Sequence, residues 1–563
     1  MSRRVQRVLL LSNGFGGATM AAYCWLRDRG IETAFQPATD GAAMADAATR
    51  YGPDLIFAPT LTAKVPDELF GRVAINHPGR MGDRGASSID WGRFRRETFG
   101  GTTLLLAADG WDTGDIVHTT TFRYPDEPAT KSWIYGQLNR AAMIRGLEHL
   151  VGEHTTRPLD YARADVLGTW NDVLRQGDCA VDWSLPAEEI VWRAAARDGA
   201  PGVTAELAGR AVRIFDVHAA GPTRLEPGRV VGWMLDGAIR VAAGPADGDG
   251  MRGSVWVGFV KETGFKQPAT WWLRDAVDHL PAQQGNPVSY RPVTTRRLGP
   301  VAVVTAAAYN GAWSTRFCRT VAATVTAAAR RPEIEVVVLR GGGAVPFGNG
   351  VNLNHIFAAP DGVEQEARRN IRAINDVASA MFQARRDGVS VIVLLDGDAG
   401  AGGAFLSLCA DVVVAVPGRT FNYHYTGMGG LSGSEFHTLT LPPRMTDEAR
   451  RAALLHDCLP LSAEQAQRQG LVDYLAPEGL QARDLTDWLH EFAVNYRHPA
   501  KQLDRQRWRP LPTEAELAAT QQRELRRIDH DFASPAFQSA LSNFVLKRGG
   551  TPPTAATEYR GAY

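Results

Sequence analysis

The chain begins the same kind of construction twice. Short, wholly apolar runs that end in loops rich in glycine, asparagine or histidine occur near the N-terminus, at Val8–Ser12, DLIFAP (Asp54–Pro59) and RVAIN (Arg72–Asn76). They occur again from Val301, as VAVVTAAA, EIEVVVLRG and VSVIVLLDG. Runs this short, apolar on both faces, fit strands buried between helical layers. Two such series, separated by segments of a different pattern, do not fit one core in 563 residues. The chain is therefore read as multidomain α/β. The two series are not repeats of each other in sequence.

In the first series Val8–Ser12 runs into NGFGG and a helical stretch, Met20–Arg29, closed by Gly30. That is a strand, a turn and a helix. The cluster Gly14-Phe15-Gly16-Gly17 is not GxGxxG, because Thr19 stands three places beyond Gly16; a tight turn is the better reading. Thr102–Ala107 reads as a further parallel strand and Lys131–Val151 as a long amphipathic helix, so residues 1 to about 160 form an open sheet domain. From about residue 165 the segments AVRIFDVHAA, GRVVGWMLDG, AIRVAAG and SVWVGFVKE alternate between turns, which reads as a small β-barrel over about 165–285. QGNPVSYRPVTT is a linker. Beyond Val301 helices are expected at Thr315–Arg331 and around Val363–Arg386, and after about 480 the chain is mostly helical. The charged stretch Lys501–Arg509 is either a solvated helix surface or a contact for phosphates.

Composition narrows the partners. Sixty-one basic residues balance 61 acidic ones, so no global field draws in nucleic acid or an anionic membrane. The five cysteines (Cys24, Cys179, Cys318, Cys409, Cys458) form no CxxC pair and no Cys/His cluster. That argues against a zinc ribbon or a disulfide framework, predicts no metal site, and suits a cytoplasmic protein. No run reaches 18 apolar residues, so no membrane span is expected. MSRRVQRVLLLSNG is basic and then apolar, but its apolar run is too short for a secretory signal. It is read as the first strand. Small-molecule substrates are the expected partners.

His77 follows an apolar strand and precedes Pro78-Gly79; Asp112 lies in a turn 35 residues on (112 − 77). A histidine at the carboxyl end of a parallel strand stands where such sheets place ligand chemistry. A carboxylate beside it fixes the ring's orientation. Acyl transfer through a tetrahedral intermediate needs that pairing, to take a proton and to steady an oxyanion. On spacing alone, a solitary turn histidine and a capping aspartate account for the same residues.

The run His77-Pro78, Arg84-Gly85 and DTGDI with Asp112 and Gly114 resembles the folate-dependent formyltransferases, over residues 1 to about 285. DWSLPAEEIVWRAAARDGAPGV (Asp182–Val203) is similar to the start of that family's C-terminal barrel. The resemblance implies a Rossmann-like formyltransferase domain, a small OB-like β-barrel, and 10-formyltetrahydrofolate as cosubstrate. It also implies an asparagine two places before the histidine. Ile75 stands there, and Asn76 is adjacent to His77 instead. A shift of one residue on a strand turns a side chain to the other face, so Asn76 serves only if the strand has ended or bulges there. The family's HPS is HPG here, which removes a hydroxyl.

In the second series Phe347–Leu353 and Gly397–Asp411 are loop-then-helix segments with glycines where backbone must come close to something. Two such loops can aim two N–H groups at one thioester carbonyl. FGNGVNLN, DGDAGAGGAFLSLCAD and LPLSAEQAQRQGLVDYLAP (Leu459–Pro477) resemble the crotonase (enoyl-CoA hydratase/isomerase) superfamily over roughly Val301–Pro477. The resemblance implies coenzyme A thioester binding, with the N–H groups of Val351 and Gly402 as oxyanion donors. NFVLKRGGTP (Asn543–Pro552) resembles the family's terminal helix and makes Lys547 a candidate for coenzyme A phosphates. Hydratases carry two glutamates where this chain has Phe405 and Tyr425, so water addition by two carboxylates is not expected. A carboxylate, Glu435, follows ten residues after Tyr425, flanked by His424 and His437. Blind to family, Tyr425 reads as a buried aromatic and Glu435 as a helix N-terminal acid.

A formyltransferase followed by a crotonase module resembles the HypX-type hydrogenase maturation proteins over essentially the whole chain, most specifically in HPGRMGDRGASSIDW and HYTGMGGLSGSE. The resemblance implies four stretches: a formyltransferase N-terminal domain (1–164), its barrel (165–285), a crotonase domain (286–480) and C-terminal helices completing it (481–563). It implies formyl transfer from 10-formyltetrahydrofolate to coenzyme A, then decarbonylation of formyl-CoA to carbon monoxide for [NiFe] hydrogenase, with other maturation proteins as partners. His77, Asn76, Asp112, Tyr425 and Glu435 are the catalytic candidates; Val351, Gly402 and Lys547 the binding candidates. N-formylation of an amine, or a folate- or CoA-binding scaffold without catalysis, are the alternatives.

Overall fold

The computed structural model describes residues 4–152, 155–160, 162–163, 165–280, 282, 290–343, 346–480, 482–496 and 511–548. Lys501–Arg509 lies outside them. The chain forms two compact units that divide after Tyr290.

The first unit opens with a six-stranded sheet: β1 (Arg7–Ser12), β2 (Glu32–Pro37), β3 (Leu55–Ala58), β4 (Val73–His77), β5 (Phe99–Leu106) and β6 (Ile116–Arg123), in the order β2-β1-β3-β4-β5-β6. β1 to β4 pair in parallel. The Gly14–Gly17 cluster joins β1 to the helix Gly17–Asp28, which starts three residues earlier than the apolar pattern suggests. The expectation of a parallel strand at Thr102–Ala107 is corrected: β5 runs antiparallel to β4 and to β6. An apolar run reads the same in either direction. Direction is set by where the preceding connection returns the chain, and here it returns beside His77, which pairs with Thr103. Periodicity also passed over β2 and β6, whose residues alternate in burial or are half-exposed.

The helix predicted over Lys131–Val151 is interrupted. A π-helical turn, Tyr135–Asn139, separates Lys131–Ile134 from Arg140–Gly152. Within that turn buried Asn139 accepts the Thr102 hydroxyl at 2.7 Å, which ties it to β5. The later half of the unit is an antiparallel sheet in the order Val203–Leu207, Arg210–Thr223, Arg252–Lys261, Ile239–Ala242, Val230–Trp233. The helix Ala187–Arg197 covers it through Ile190 and Ala194, which pack on Ile214, Val255 and Val257.

The second unit holds a sheet of Val293–Leu298, Val301–Ala306, Val336–Arg340, Ser390–Leu395, Val412–Ala415 and Tyr474–Leu475, parallel except for the first. Val336–Val338 and Val391–Leu395 are fully buried, and each such side chain stabilises the fold by about 1.5–3 kcal/mol relative to exposure. A second, short layer of pairs runs beside it. Trp313 bridges Val351, Gly348 bridges Ala399, Ala399–Gly400 pairs with Phe421–Asn422, and Thr420–Phe421 pairs with Leu461–Ser462. This layer carries the two glycine loops. Among the described residues no helix is long and apolar enough to cross a membrane.

Two candidate active sites

In the first unit His77 is the last residue of β4. Its Nδ1 lies 3.2 Å from Asp112 Oδ1, and the ring is 5% exposed. Nδ1 faces the carboxylate; buried Nε2 has no hydrogen-bond partner among the described residues. Asp112 adopts φ 57° and its Oδ2 accepts the Gly85 N–H at 3.0 Å. The flanking glycines follow from close approach. A Cβ on Gly85, itself at φ +93°, would overlap the Asn171 carbonyl, and one on Gly114 would overlap that of Leu106. A Cβ on Gly79 would overlap the His77 ring, so the glycine lets the imidazole lie close against the turn.

Asn76 is placed otherwise. β4 continues through His77 in regular register, Asn76 opposite Leu104 and His77 opposite Thr103, with no bulge. Asn76 therefore points to the face opposite His77, where its Nδ2 donates to the Pro59 carbonyl at 3.2 Å. Neither condition under which Asn76 reaches His77's face is met.

In the second unit the loop Phe347–Val351 meets the start of the helix Gly402–Ser407. The bridge to Trp313 uses the Gly350 carbonyl and the Asn352 N–H, which leaves the Val351 N–H directed away from it. A Cβ on Gly350 would lie 3.2 Å from Gly402 N, so the two loops come close. Ala401, at φ 47°, turns the chain into the helix whose first N–H is that of Gly402.

Glu435 and Tyr425 meet beside these loops. The Tyr425 hydroxyl donates to Glu435 Oε2 at 2.6 Å, and a Cβ on Gly402 would overlap Glu435 Oε1. Glu435 is 1% exposed. Burial, reinforced by Glu524 and opposed by the Tyr425 hydrogen bond, pushes its carboxyl up to about 7. Burial, with Glu435 adding to it, holds the Tyr425 phenol well above its ordinary range, so it remains a donor. Phe405 stacks on the Tyr425 ring at 4.7 Å and 14°, and His437 lies 5.3 Å from it. Burial lowers both flanking histidines, His424 and His437. His437 Nδ1 meets the Ser434 carbonyl at 2.8 Å.

Two buried asparagines on the helix Val363–Arg386 hold these pieces, and the sequence reading passed over both. Asn370 accepts the Asn352 N–H at 3.0 Å and donates to the Trp313 carbonyl at 2.8 Å. Asn375 accepts the Glu435 N–H at 2.9 Å and pairs with the Ser434 hydroxyl. A polar residue on the apolar face of an amphipathic helix was the signal available. Lys547 is exposed at the C-terminal end of the helix Pro535–Leu546 and lies over Phe544; that helix packs on Leu353–Phe357, just beyond Val351.

The chain is similar to the hydrogenase maturation factor HoxX of Bradyrhizobium diazoefficiens, with 32% identity over 98% of this chain and 97% of that one. The chain belongs to the hydrogenase maturation factor family. Separate stretches of the chain match two enzyme families. Residues 306–550 match the enoyl-CoA hydratase/isomerase family. A stretch covering 29% of the chain is 31% identical to half of the methionyl-tRNA formyltransferase of Methylibium petroleiphilum. The structure of HypX from Aquifex aeolicus in complex with tetrahydrofolic acid superposes with a TM-score of 0.89 at 26% identity, over 99% of both chains. This maturation factor is thus an enzyme with a formyltransferase-like first unit and a crotonase-like second unit.

Proposed function

We propose that this maturation factor moves the formyl group of 10-formyltetrahydrofolate to coenzyme A at His77 and Asp112, and releases it as carbon monoxide at Tyr425 and Glu435, for the iron of [NiFe] hydrogenase. The observation that carries the reading is the buried 2.6 Å pair of Tyr425 and Glu435, set against two N–H donors, in a chain that also bears a formyltransferase site. The likeness to a tetrahydrofolate-bound HypX supports folate as the cosubstrate.

In the first step the thiol attacks the formyl carbon. His77 Nε2, with its lone pair free because Asp112 holds Nδ1, takes the thiol proton and returns it to the folate nitrogen as the carbon–nitrogen bond breaks. In the second, the Val351 and Gly402 N–H groups hold the formyl oxygen. Glu435, as carboxylate, removes the formyl proton, and the carbon–sulfur bond breaks with its electron pair on sulfur. Tyr425 passes its hydroxyl proton to sulfur and is reprotonated by Glu435. The products are carbon monoxide and free thiol, with Glu435 again a carboxylate. Phe405 stands where a hydratase keeps a glutamate, so one of the carboxylates that would activate competing water is gone.

The test is incubation with 10-formyltetrahydrofolate and coenzyme A, with carbon monoxide followed as carbonmonoxy-haemoglobin. The wild type should release it and Glu435→Gln should not. Folate turnover with coenzyme A present and no carbon monoxide sinks the proposal.

A further inference from the structure

The loop that carries Glu435 is held from one side by a single helix face. Glu524 and Asp531 lie on the helix Glu514–Phe532, seven residues apart (531 − 524), which is two turns and one face. Asp531 Oδ2 accepts the Ser432 N–H at 2.7 Å and its hydroxyl at 2.6 Å. Glu524 accepts the Phe436 N–H at 2.9 Å on Oε2, and the Thr438 N–H at 2.9 Å and hydroxyl at 2.6 Å on Oε1. Between these grips Glu435 and Phe436 adopt φ 57° and 56°, a left-handed pair that non-glycine residues hold only when their surroundings fix it.

We propose that Glu524 is a positioning residue for Glu435: its buried carboxylate pins the left-handed turn that carries Glu435 and places a second acidic group beside it. The role of Glu435 as base rests on the function proposed above. Glu524 is 2% exposed, and it receives two N–H groups and a hydroxyl while giving to none of these partners, the pattern of an ionised carboxylate. The other groups facing the pair do not cancel its charge. Cys409, whose Sγ lies 3.5 Å from the Glu435 carbonyl, and Cys318 are thiols pushed far up by burial. Tyr425 is a neutral phenol. His437 Nδ1 lies 3.5 Å from Glu524; burial lowers that ring more than Glu524 and the Ser434 carbonyl raise it, and Arg527 lowers it further. Arg385 and Arg444 bear on Cys409. Glu524 in turn raises both Glu435 and Tyr425.

The test is Glu524→Gln in the full chain, with two readouts. In the first, the rate of carbon monoxide release from formyl-CoA is followed against pH; its acid inflexion should move down by about half a unit or more, because a like charge has been removed. In the second, the infrared band of the protonated Glu435 carboxyl, assigned by its loss in Glu435→Gln, is titrated without substrate and should move the same way. Glu524→Asp, which keeps the charge, should stay nearer the wild type. If Glu524→Gln does not fold, pairing it with Thr438→Ala removes the hydroxyl donor that its amide would oppose. A lower rate with neither inflexion moved marks Glu524 as a structural brace only and overturns the proposal. A wild type that forms no carbon monoxide while the infrared shift stands overturns the proposed reaction and leaves the coupling intact.

Discussion

The Tyr425 hydroxyl and Glu435 Oε2 lie 2.6 Å apart in a site that excludes solvent. Tyr425 is a donor that stays protonated, and Glu435 changes charge near neutrality. Together they join one proton acceptor to one proton donor through a single bond. Removing a proton from carbon and delivering one to sulfur requires that combination.

Glu435→Gln should lower carbon monoxide release from formyl-CoA by about 100- to 10,000-fold, the usual worth of a positioned general base. Tyr425→Phe should lower it too, with thiol release falling in step. In the wild type the rate should rise with pH through about 7 as Glu435 ionises. A stopped-flow pH profile with haemoglobin as trap checks all three.

Glu435 also links stability to pH. Its carboxyl is raised from 4.5 to about 7 in the folded protein, so the folded state holds a proton that the unfolded chain has lost. That contribution is fully present below about 4.5 and is lost as pH rises through about 7. The rise from 4.5 to about 7 corresponds to about 3 kcal/mol. Glu435→Gln escapes the loss. Its stability relative to wild type should therefore improve by about that amount between pH 4.5 and pH 8, as read by denaturant unfolding of the full chain at each pH.

The two units should be separable by substrate. His77→Ala and Asp112→Asn should each cut folate-dependent formyl transfer by about 100-fold or more, yet release carbon monoxide normally when formyl-CoA is supplied. Asn76→Ala, on the far face of β4, should change transfer less than about tenfold and lower stability by about 1–3 kcal/mol through its lost bond to Pro59. Tetrahydrofolate absorbance and thermal unfolding give the two numbers.

Gly402→Ala tests the placement of Glu435 against the oxyanion loop. The backbone N–H is kept, but a methyl group there overlaps Glu435 Oε1, so the carboxylate must move. Displacing a positioned general base costs about 100-fold or more in kcat, and KM for formyl-CoA should change much less. Unchanged kcat would count against Glu435 as the base.

The residues of the first site were legible because they stand in motif runs that resemble a family. Gly85 and Gly114 stand where backbone comes within contact of another carbonyl, and His77 ends a strand. The direction of β5 was not legible, since an apolar run carries no polarity. Asn370, Asn375 and Glu524 were passed over for a different reason. Each acts on residues far along the chain: Asn375 on Glu435, 60 residues on (435 − 375), and Glu524 on Phe436, 88 residues back (524 − 436).

The sequence by itself determined the two modules and the replacement of hydratase glutamates by Phe405 and Tyr425, because these are choices of residue type within local motifs; it offered His77 and Asp112 as a pair only through the family resemblance. Only the tertiary structure decided which face Asn76 takes, and that Tyr425 and Glu435 share a proton-binding pair in a buried site. It alone brought Glu524 against that pair. Burial and the distance between remote side chains set the charge of a group, and neither is written in the order of its neighbours along the chain.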